Sequence, residues 1–138
     1  MKYISKNRTS VRVRYGETDQ MGYCYYGNYA QFCEVGRVEA LRELGLSYRS
    51  IEEAGVMLPV SSFSIKYLRP AKYDDLINID TTIVRLEGVK LFFIYELYNE
   101  KEELIAKADT TLVFVAKETM RPTAPPTSFL TIVAQHEK

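Results

Sequence analysis

Histidine is almost absent from this sequence. The only one, His136, stands near the carboxyl end. This scarcity argues against a Ser-His-Asp or Cys-His catalytic site, against a zinc site with histidine ligands and against a histidine-dependent dehydratase. Any chemistry must therefore use carboxylates, hydroxyls, backbone donors or a cofactor.

An excess of charge and long apolar runs are also missing. Eighteen basic residues balance 18 acidic ones, so nothing indicates a nucleic-acid partner or an anionic membrane surface. No apolar run approaches the roughly 18 residues of a membrane span. Residues 1–8 lack the apolar segment of a secretory signal. We therefore expect a cytoplasmic protein with neither nucleic-acid nor membrane partners.

Cysteine is scarce as well, with only Cys24 and Cys33 in the chain. Their spacing matches no metal-binding motif, so no metal ion is expected. Both are predicted to be reduced, and Cys33 is predicted to be a small buried residue of the core.

The first half of the chain predicts one strand followed by two helices. Alternating residues predict the strand over 9–15. Apolar residues at spacings of three and four predict a long helix over 29–44, which Gly27 or Asn28 can cap and Gly45 can end. A short helix over 48–54 follows, with Ser47 as its cap. Gly36 lies on the apolar face of the long helix, which suggests a close approach to a sheet.

The second half predicts strands joined by tight turns. They run over 60–69, 76–86, 89–99 and 104–116, and a weakly structured, proline-containing tail follows. The pattern predicts a single α+β domain over 1–138, with its core at about 9–119 and a mostly antiparallel sheet of about five strands. Such long strands leave long edges, which a dimer joined edge to edge would cover.

The loop ahead of the long helix carries the candidate chemistry. Asp19 lies there, between the first strand and the helix. A carboxylate just ahead of a helix lies where unpaired N–H groups favour negative charge. It can be a cap or loop anchor. It can also be half of an acyl-transfer site, with the acid as nucleophile or base and the N–H groups as oxyanion donors.

Three stretches in this region resemble a known family. They are RYGETDQMG at 14–22, YYGNY at 25–29 and FCEVGR at 32–37. In this order they are similar to the hotdog-fold acyl-CoA thioesterases, and in particular to the 4-hydroxybenzoyl-CoA thioesterase branch with its YbgC-like and FadM-like enzymes. The similarity extends over about 11–119.

The resemblance implies a hotdog fold, in which a five-stranded antiparallel sheet wraps around one long helix. It also implies homodimers that often pair into tetramers, an active site at the dimer interface, and an acyl-CoA substrate with no further cofactor. Two alternatives stay open. One is hydrolysis of acyl groups from acyl carrier protein, and the other is a non-catalytic protein that binds acyl thioesters.

The resemblance also implies roles for individual residues. Asp19 matches the catalytic carboxylate, and Tyr26 matches the position whose backbone N–H polarises the thioester carbonyl. Many YbgC-like members have histidine where this chain has Tyr26. Further candidates for contact with the acyl group or with coenzyme A are Gly22, Tyr25, Gly27, Tyr29, Lys66, Arg69, Lys72 and Lys90.

Overall fold

The computed structural model describes residues 2–136. In chain order the elements are β1 (Ser5–Arg12), α1 (Tyr29–Glu43), α2 (Tyr48–Glu53), β2 (Val56–Met57), β3 (Val60–Tyr67), β4 (Leu76–Glu87), β5 (Lys90–Tyr98), β6 (Leu104–Val113), β7 (Val115–Ala116) and α3 (Thr127–His136). Two short 3-10 turns, Tyr15–Glu17 and Tyr26–Asn28, lie between β1 and α1.

One antiparallel sheet of five strands organises the molecule. Its strand order is β1-β4-β5-β6-β3, so β1 and β3 form the two edges. The long helix α1 packs on β1, β4 and β5. This is the predicted hotdog arrangement of one long helix against a five-stranded antiparallel sheet.

The core lies between α1 and the central strands. Alternate residues of β4 and β5 point towards the helix and are fully buried: Ile77, Ile79, Thr81 and Ile83, and Leu91, Phe93, Tyr95 and Leu97. Burying each large apolar side chain stabilises the fold by about 1.5–3 kcal/mol. A turn at Gly88, with φ of +63°, joins the two strands as the alternation predicts.

Gly36 lets α1 approach the sheet closely, as predicted. A Cβ at this position would collide with Oγ1 of Thr81 and would lie 2.9 Å from Cγ2 of Ile79. The helix ends just before Gly45, whose φ of +85° is readily adopted by glycine. Ser47 caps α2 by accepting a hydrogen bond from the Ser50 N–H at 3.0 Å.

The first strand differs from its prediction. It begins at Ser5 and ends at Arg12, where it pairs with Leu76 of β4. Its first half is polar, so alternation of apolar residues could not reveal it. Tyr15 lies outside the strand, 78% exposed, with its ring 5.6 Å from the ring of Tyr73.

The carboxyl-terminal part also differs from its prediction. The predicted strand over 104–116 is interrupted after Val113, and its last residues form β7, which pairs with β2. The prediction of a weakly structured tail is wrong, because α3 buries Phe129 and Val133. The Phe129 ring packs edge-on against Phe114 at 4.9 Å. No helix within residues 2–136 is long and apolar enough to cross a bilayer.

Candidate active site

Asp19 occupies a tight turn between β1 and α1. Its Oδ1 accepts hydrogen bonds from the N–H groups of Met21, at 2.9 Å, and Tyr23, at 3.3 Å. Its backbone oxygen accepts from Gly22, whose φ of +80° the turn requires. Within residues 2–136, no donor contacts Oδ2 and no basic side chain pairs with Asp19. The turn therefore holds one carboxylate oxygen and leaves the other available.

The helical backbone begins at Tyr26, one turn earlier than the start of α1. Tyr25 is extended, whereas the 3-10 turn Tyr26–Asn28 continues directly into α1. No acceptor within the described chain receives the N–H of Tyr26 or Gly27. These two donors, at the positive end of the helix dipole, are available to a negatively charged group.

Asn28, one of the two predicted caps, occupies the N-cap position of α1 but makes no capping hydrogen bond through its side chain. Its backbone dihedral angles are helical. Its Nδ2 donates instead to the backbone oxygen of Glu17 at 2.8 Å, and the same oxygen accepts from the Tyr25 N–H. Asn28 therefore fastens the Asp19 loop to the start of the helix.

Glu17 supports the loop from its buried position. Its carboxylate accepts from the Arg14 N–H at 2.7 Å and from the Arg14 guanidinium at 3.1 Å. Because all these contacts stay within the loop, Glu17 is a structural residue here and Asp19 is the carboxylate that faces open space.

A cavity of about 330 Å³ connects the turn to the helix start. Its lining combines one carboxylate, one guanidinium and a majority of apolar and tyrosine side chains: Asp19, Met21, Tyr23, Cys24, Tyr26, Tyr29, Tyr67, Leu68, Arg69 and Pro70. The carboxylate of Asp19 and the helix start at Tyr26 thus border one space.

Cys24 lines this cavity as a neutral thiol. Burial, together with the negative charges of Glu17 and Asp19, raises its pKa to about 11. A thiol with this pKa is protonated at neutral pH, so Cys24 does not supply a nucleophilic thiolate.

The cavity includes four of the predicted site residues, Asp19, Tyr26, Tyr29 and Arg69. Three others lie near it without lining it. Gly22 forms the turn, and the Tyr25 ring covers Gly27, where a Cβ would lie 2.7 Å from Cε2 of Tyr25. Gly22 and Gly27 therefore serve the backbone conformation, and Tyr25 packs on the helix start.

The basic candidates do not meet at the cavity. Arg69 borders it, whereas Lys66 borders a different concave surface formed by β3–β6. Lys72 lies in the neighbouring depression that shares Pro70 with the cavity. Lys90 lies far from the cavity in the same chain. Ala106 of β6 aligns Tyr67 with Leu97 of β5, and Lys90 is seven residues from Leu97 along that strand. At about 3.4 Å per residue, Lys90 is therefore roughly 24 Å from the level of Tyr67 along the strand direction.

Tyr67 was not predicted as a site residue. Its hydroxyl donates to the backbone oxygen of Tyr26 at 3.1 Å, although 41 residues separate the two. Its position three residues before Pro70, within the region of similarity to the family at about 11–119, was the available signal. Met21, Tyr23, Cys24 and Leu68 were also missed as lining residues.

Comparison with known proteins identifies the family. The sequence profile of the Thioesterase-like superfamily matches residues 13–133. The chain belongs to this superfamily. The predicted enzyme class, a thioester hydrolase, and the predicted hotdog fold are thereby confirmed.

Individual relatives of the thioesterase-like superfamily cover nearly the whole chain. YneP of Bacillus subtilis (strain 168) is 38% identical over 120 residues, which are 87% of this chain and 86% of YneP. The acyl-CoA thioester hydrolase YbgC of Escherichia coli O157:H7 is 32% identical over 123 residues, 89% of this chain and 92% of YbgC. The crystal structure of DHNA-CoA thioesterase from Staphylococcus aureus has a TM-score of 0.90 at 28% identity, and the match covers 94% of this chain and 89% of that one.

Proposed function

We propose that this thioesterase hydrolyses acyl-CoA thioesters to a free acid and coenzyme A, with Asp19 as the nucleophile or general base. One observation carries the proposal. In a chain of the thioesterase-like superfamily, Asp19 with its available Oδ2 and Tyr26, whose N–H has no acceptor within residues 2–136, line the same cavity. The names of YbgC and of the Staphylococcus aureus enzyme support coenzyme A as the thiol.

Two balanced routes use the same carboxylate. As a nucleophile, Asp19 attacks the carbonyl carbon, the C–S bond breaks, the thiolate leaves and takes a proton, and water hydrolyses the mixed anhydride. As a general base, Asp19 takes a proton from water, whose oxygen attacks the carbonyl carbon before the C–S bond breaks. In both routes the oxygen held by Met21 and Tyr23 orients the carboxylate, so Oδ2 is the reacting atom.

The helix start supplies the complementary charge. In either route the carbonyl oxygen becomes an oxyanion, and an N–H donor fixed at that point lowers the barrier. The Tyr26 N–H at the positive end of the helix is our proposed donor. A thiolate is a good leaving group and needs little acid assistance, which suits a site without histidine.

The remaining cavity residues suggest how the substrate would lie. Tyrosine rings and Met21 offer an apolar surface for the acyl group. Arg69 at the mouth offers a charge-assisted hydrogen bond to a phosphate of coenzyme A. The proposed reaction requires no metal ion, and within residues 2–136 no cluster of three or more metal-ligating side chains occurs.

The charge around the mouth favours coenzyme A over an acyl carrier protein. A carrier protein is acidic and would need a basic rim. The cavity contributes Arg69 to this surface. The depression that shares Pro70 with the cavity contributes two further basic residues and three acidic ones: Lys72, Lys101, Asp75, Glu100 and Glu103. These charges balance, so a large acidic partner gains little attraction there.

We further propose that two copies join along β3. Alternate residues of β3 face the same side as the buried residues of β6, yet Phe63 and Tyr67 stay 37% and 42% exposed. Since α1 packs on β1, β4 and β5, a second copy pairing antiparallel with β3 would cover this edge. That pairing would bring the end of the sheet that carries Lys90 in one copy towards the end that carries Tyr67 in the other. Lys90 of the partner subunit therefore stays a candidate for binding coenzyme A. Pairing of dimers into tetramers stays a prediction.

Asp19→Asn tests the proposed function, because the asparagine oxygen can still accept from Met21 and Tyr23. We expect the release of thiol from short, long and aromatic acyl-CoAs to fall by about 10²–10⁴-fold. Asp109→Asn, an exposed carboxylate on β6, is the matched control and should keep wild-type turnover. Wild-type turnover by Asp19→Asn would remove this residue from the mechanism. Binding of coenzyme A by a wild-type protein without any turnover would favour the non-catalytic alternative.

A further inference from the structure

Tyr67 connects the edge strand of the sheet to the start of the main helix. It is the last residue of β3, and its hydroxyl donates to the Tyr26 backbone oxygen at 3.1 Å. Its ring packs edge-on against Tyr29 at 5.0 Å and against Tyr26 at 6.2 Å. Burial raises the pKa of Tyr67, so the hydroxyl is protonated and able to donate throughout the neutral pH range.

The Tyr26 backbone is held from both sides. The preceding carbonyl, of Tyr25, accepts from the Asn28 N–H at 3.0 Å. The Tyr26 carbonyl accepts from the Tyr29 N–H of the helix and from the Tyr67 hydroxyl. The hydrogen bonds donated by Asn28 and Tyr29 lie within the 3-10 turn and the start of α1. The hydrogen bond donated by Tyr67 connects this turn to the edge strand β3.

The location of this contact matters for the reaction. A 3-10 turn is short and has poorer hydrogen-bond geometry than an α-helix, so its first residues need an outside contact to keep a fixed position. An oxyanion donor acts only if it is fixed before the charge develops, and small displacements weaken it. The residue proposed as donor is the one that Tyr67 fixes.

We propose that Tyr67 is a positioning residue for thioester hydrolysis, which holds the Tyr26 donor in place from the edge strand β3. This inference rests on the proposed function. It assigns to the Tyr67 hydroxyl an effect on the transition state through Tyr26. The ring itself, as part of the cavity wall, contributes to binding of the acyl group.

Tyr67→Phe tests the inference, because it removes the hydroxyl and keeps the ring. We expect kcat to fall by roughly tenfold, KM to stay within about twofold and the oligomeric state to be unchanged, since only a contact that orders the transition state is lost. Tyr73→Phe, at an exposed tyrosine that lies outside the cavity, is the matched control and should keep both constants.

A spectroscopic measurement reports on the same contact without turnover. The Gly27 N–H shares a peptide plane with the Tyr26 carbonyl, so its amide resonance should shift in Tyr67→Phe and stay in place in Tyr73→Phe. A wild-type kcat for Tyr67→Phe, or a raised KM with unchanged kcat, would overturn the inference and leave the proposed function standing. A wild-type protein inactive on all acyl-CoAs would overturn both.

Discussion

Nη1 of Arg69, which lines the Asp19 cavity, lies 3.8 Å from Oε2 of Glu103 in the neighbouring depression. Both side chains are about half exposed, so the pair contributes little to folding stability. The Asn99 side chain and the Arg69 charge together lower the pKa of Glu103, which keeps this carboxylate ionised. Arg69 is therefore already neutralised by a neighbour when a phosphate approaches.

Glu103→Gln should strengthen substrate binding. A phosphate of coenzyme A has to compete with Glu103 for Arg69, and the amide removes that competition while it can still accept from Asn99. We expect the KM for acyl-CoA to fall by about two- to fivefold at low salt, which corresponds to an exposed ion pair. The gain should shrink at 1 M salt, where screening extends over only about 3 Å.

Two variants control this measurement. Glu118→Gln makes the same change of charge on an exposed turn outside the cavity lining and should leave KM unchanged. Arg69→Gln should raise KM, and adding Glu103→Gln to it should have no further effect. A lower KM in that double variant would mean that Glu103 acts on substrate without Arg69.

Phe63→Lys tests whether β3 joins two copies. Each Phe63 is 37% exposed in the single chain, so burying the rest of two of them per dimer contributes about 1–2 kcal/mol, or roughly six- to fortyfold in Kd. We expect a folded monomer by light scattering, with reduced turnover. Val35→Lys on α1 is the matched control, because Val35 and Phe63 are both 37% exposed. A Phe63→Lys protein that associates like wild type would contradict the β3 interface.

The elements that could be predicted are those whose pattern is set by burial on one side. Strands β4 and β5 alternate fully buried with more exposed residues, and α1 places its apolar residues on one face. The polar first half of the edge strand β1 has no such apolar pattern, although it pairs with β4 along its whole length. The helix α3 was missed because the prolines ahead of it obscured the apolar spacing of Phe129 and Val133.

The candidate site could be predicted mainly where its residues lie close together in the chain, and Arg69 is the predicted lining residue outside that stretch. Asp19, Tyr26 and Tyr29 belong to one continuous stretch, and the cavity includes all three. Tyr67 reaches the same cavity through the pairing of β3 with β6, which aligns it with Ala106. A register shift of one residue would turn Tyr67 to the other face, so its role depends on information that a local pattern does not contain.

Gly36→Ala should destabilise the fold although alanine favours helices. Alanine gains about 1 kcal/mol of helix propensity, but its Cβ would collide with Thr81 and Ile79 of β4. Overpacking of this kind typically costs about 1–3 kcal/mol, so we expect a net loss in the free energy of unfolding in urea. Thr81→Ala should restore part of it, since Oγ1 of Thr81 is the nearer obstacle.

The control for this substitution is Gly16→Ala, where no heavy atom lies within 4 Å of the added Cβ. It should leave the urea midpoint close to that of wild type. A Gly36→Ala protein as stable as wild type would mean that α1 can move away from β4 without cost.

Alkaline pH should destabilise the protein through buried thiols and phenols. Burial raises the pKa of Cys24 to about 11 and of Cys33, Tyr29 and Tyr95 each to about 12. The ordinary values are 9.0 for the thiols and 10.0 for the phenols. Between these limits the unfolded chain loses protons that the folded chain keeps, so the free energy of unfolding falls as pH rises.

The loss should begin near pH 8, where thiols of the unfolded chain start to ionise, and continue to about pH 12. Below about pH 8 these four groups are protonated in both states and contribute no slope. Urea midpoints at pH 8, 9, 10 and 11 measure it directly. Cys33→Ala should lower the midpoint at every pH because it leaves a small cavity. It should also flatten the decline, since one proton fewer distinguishes the folded from the unfolded chain. A midpoint that stays constant or rises up to pH 11 would mean that these groups ionise as easily in the folded protein as in the unfolded chain.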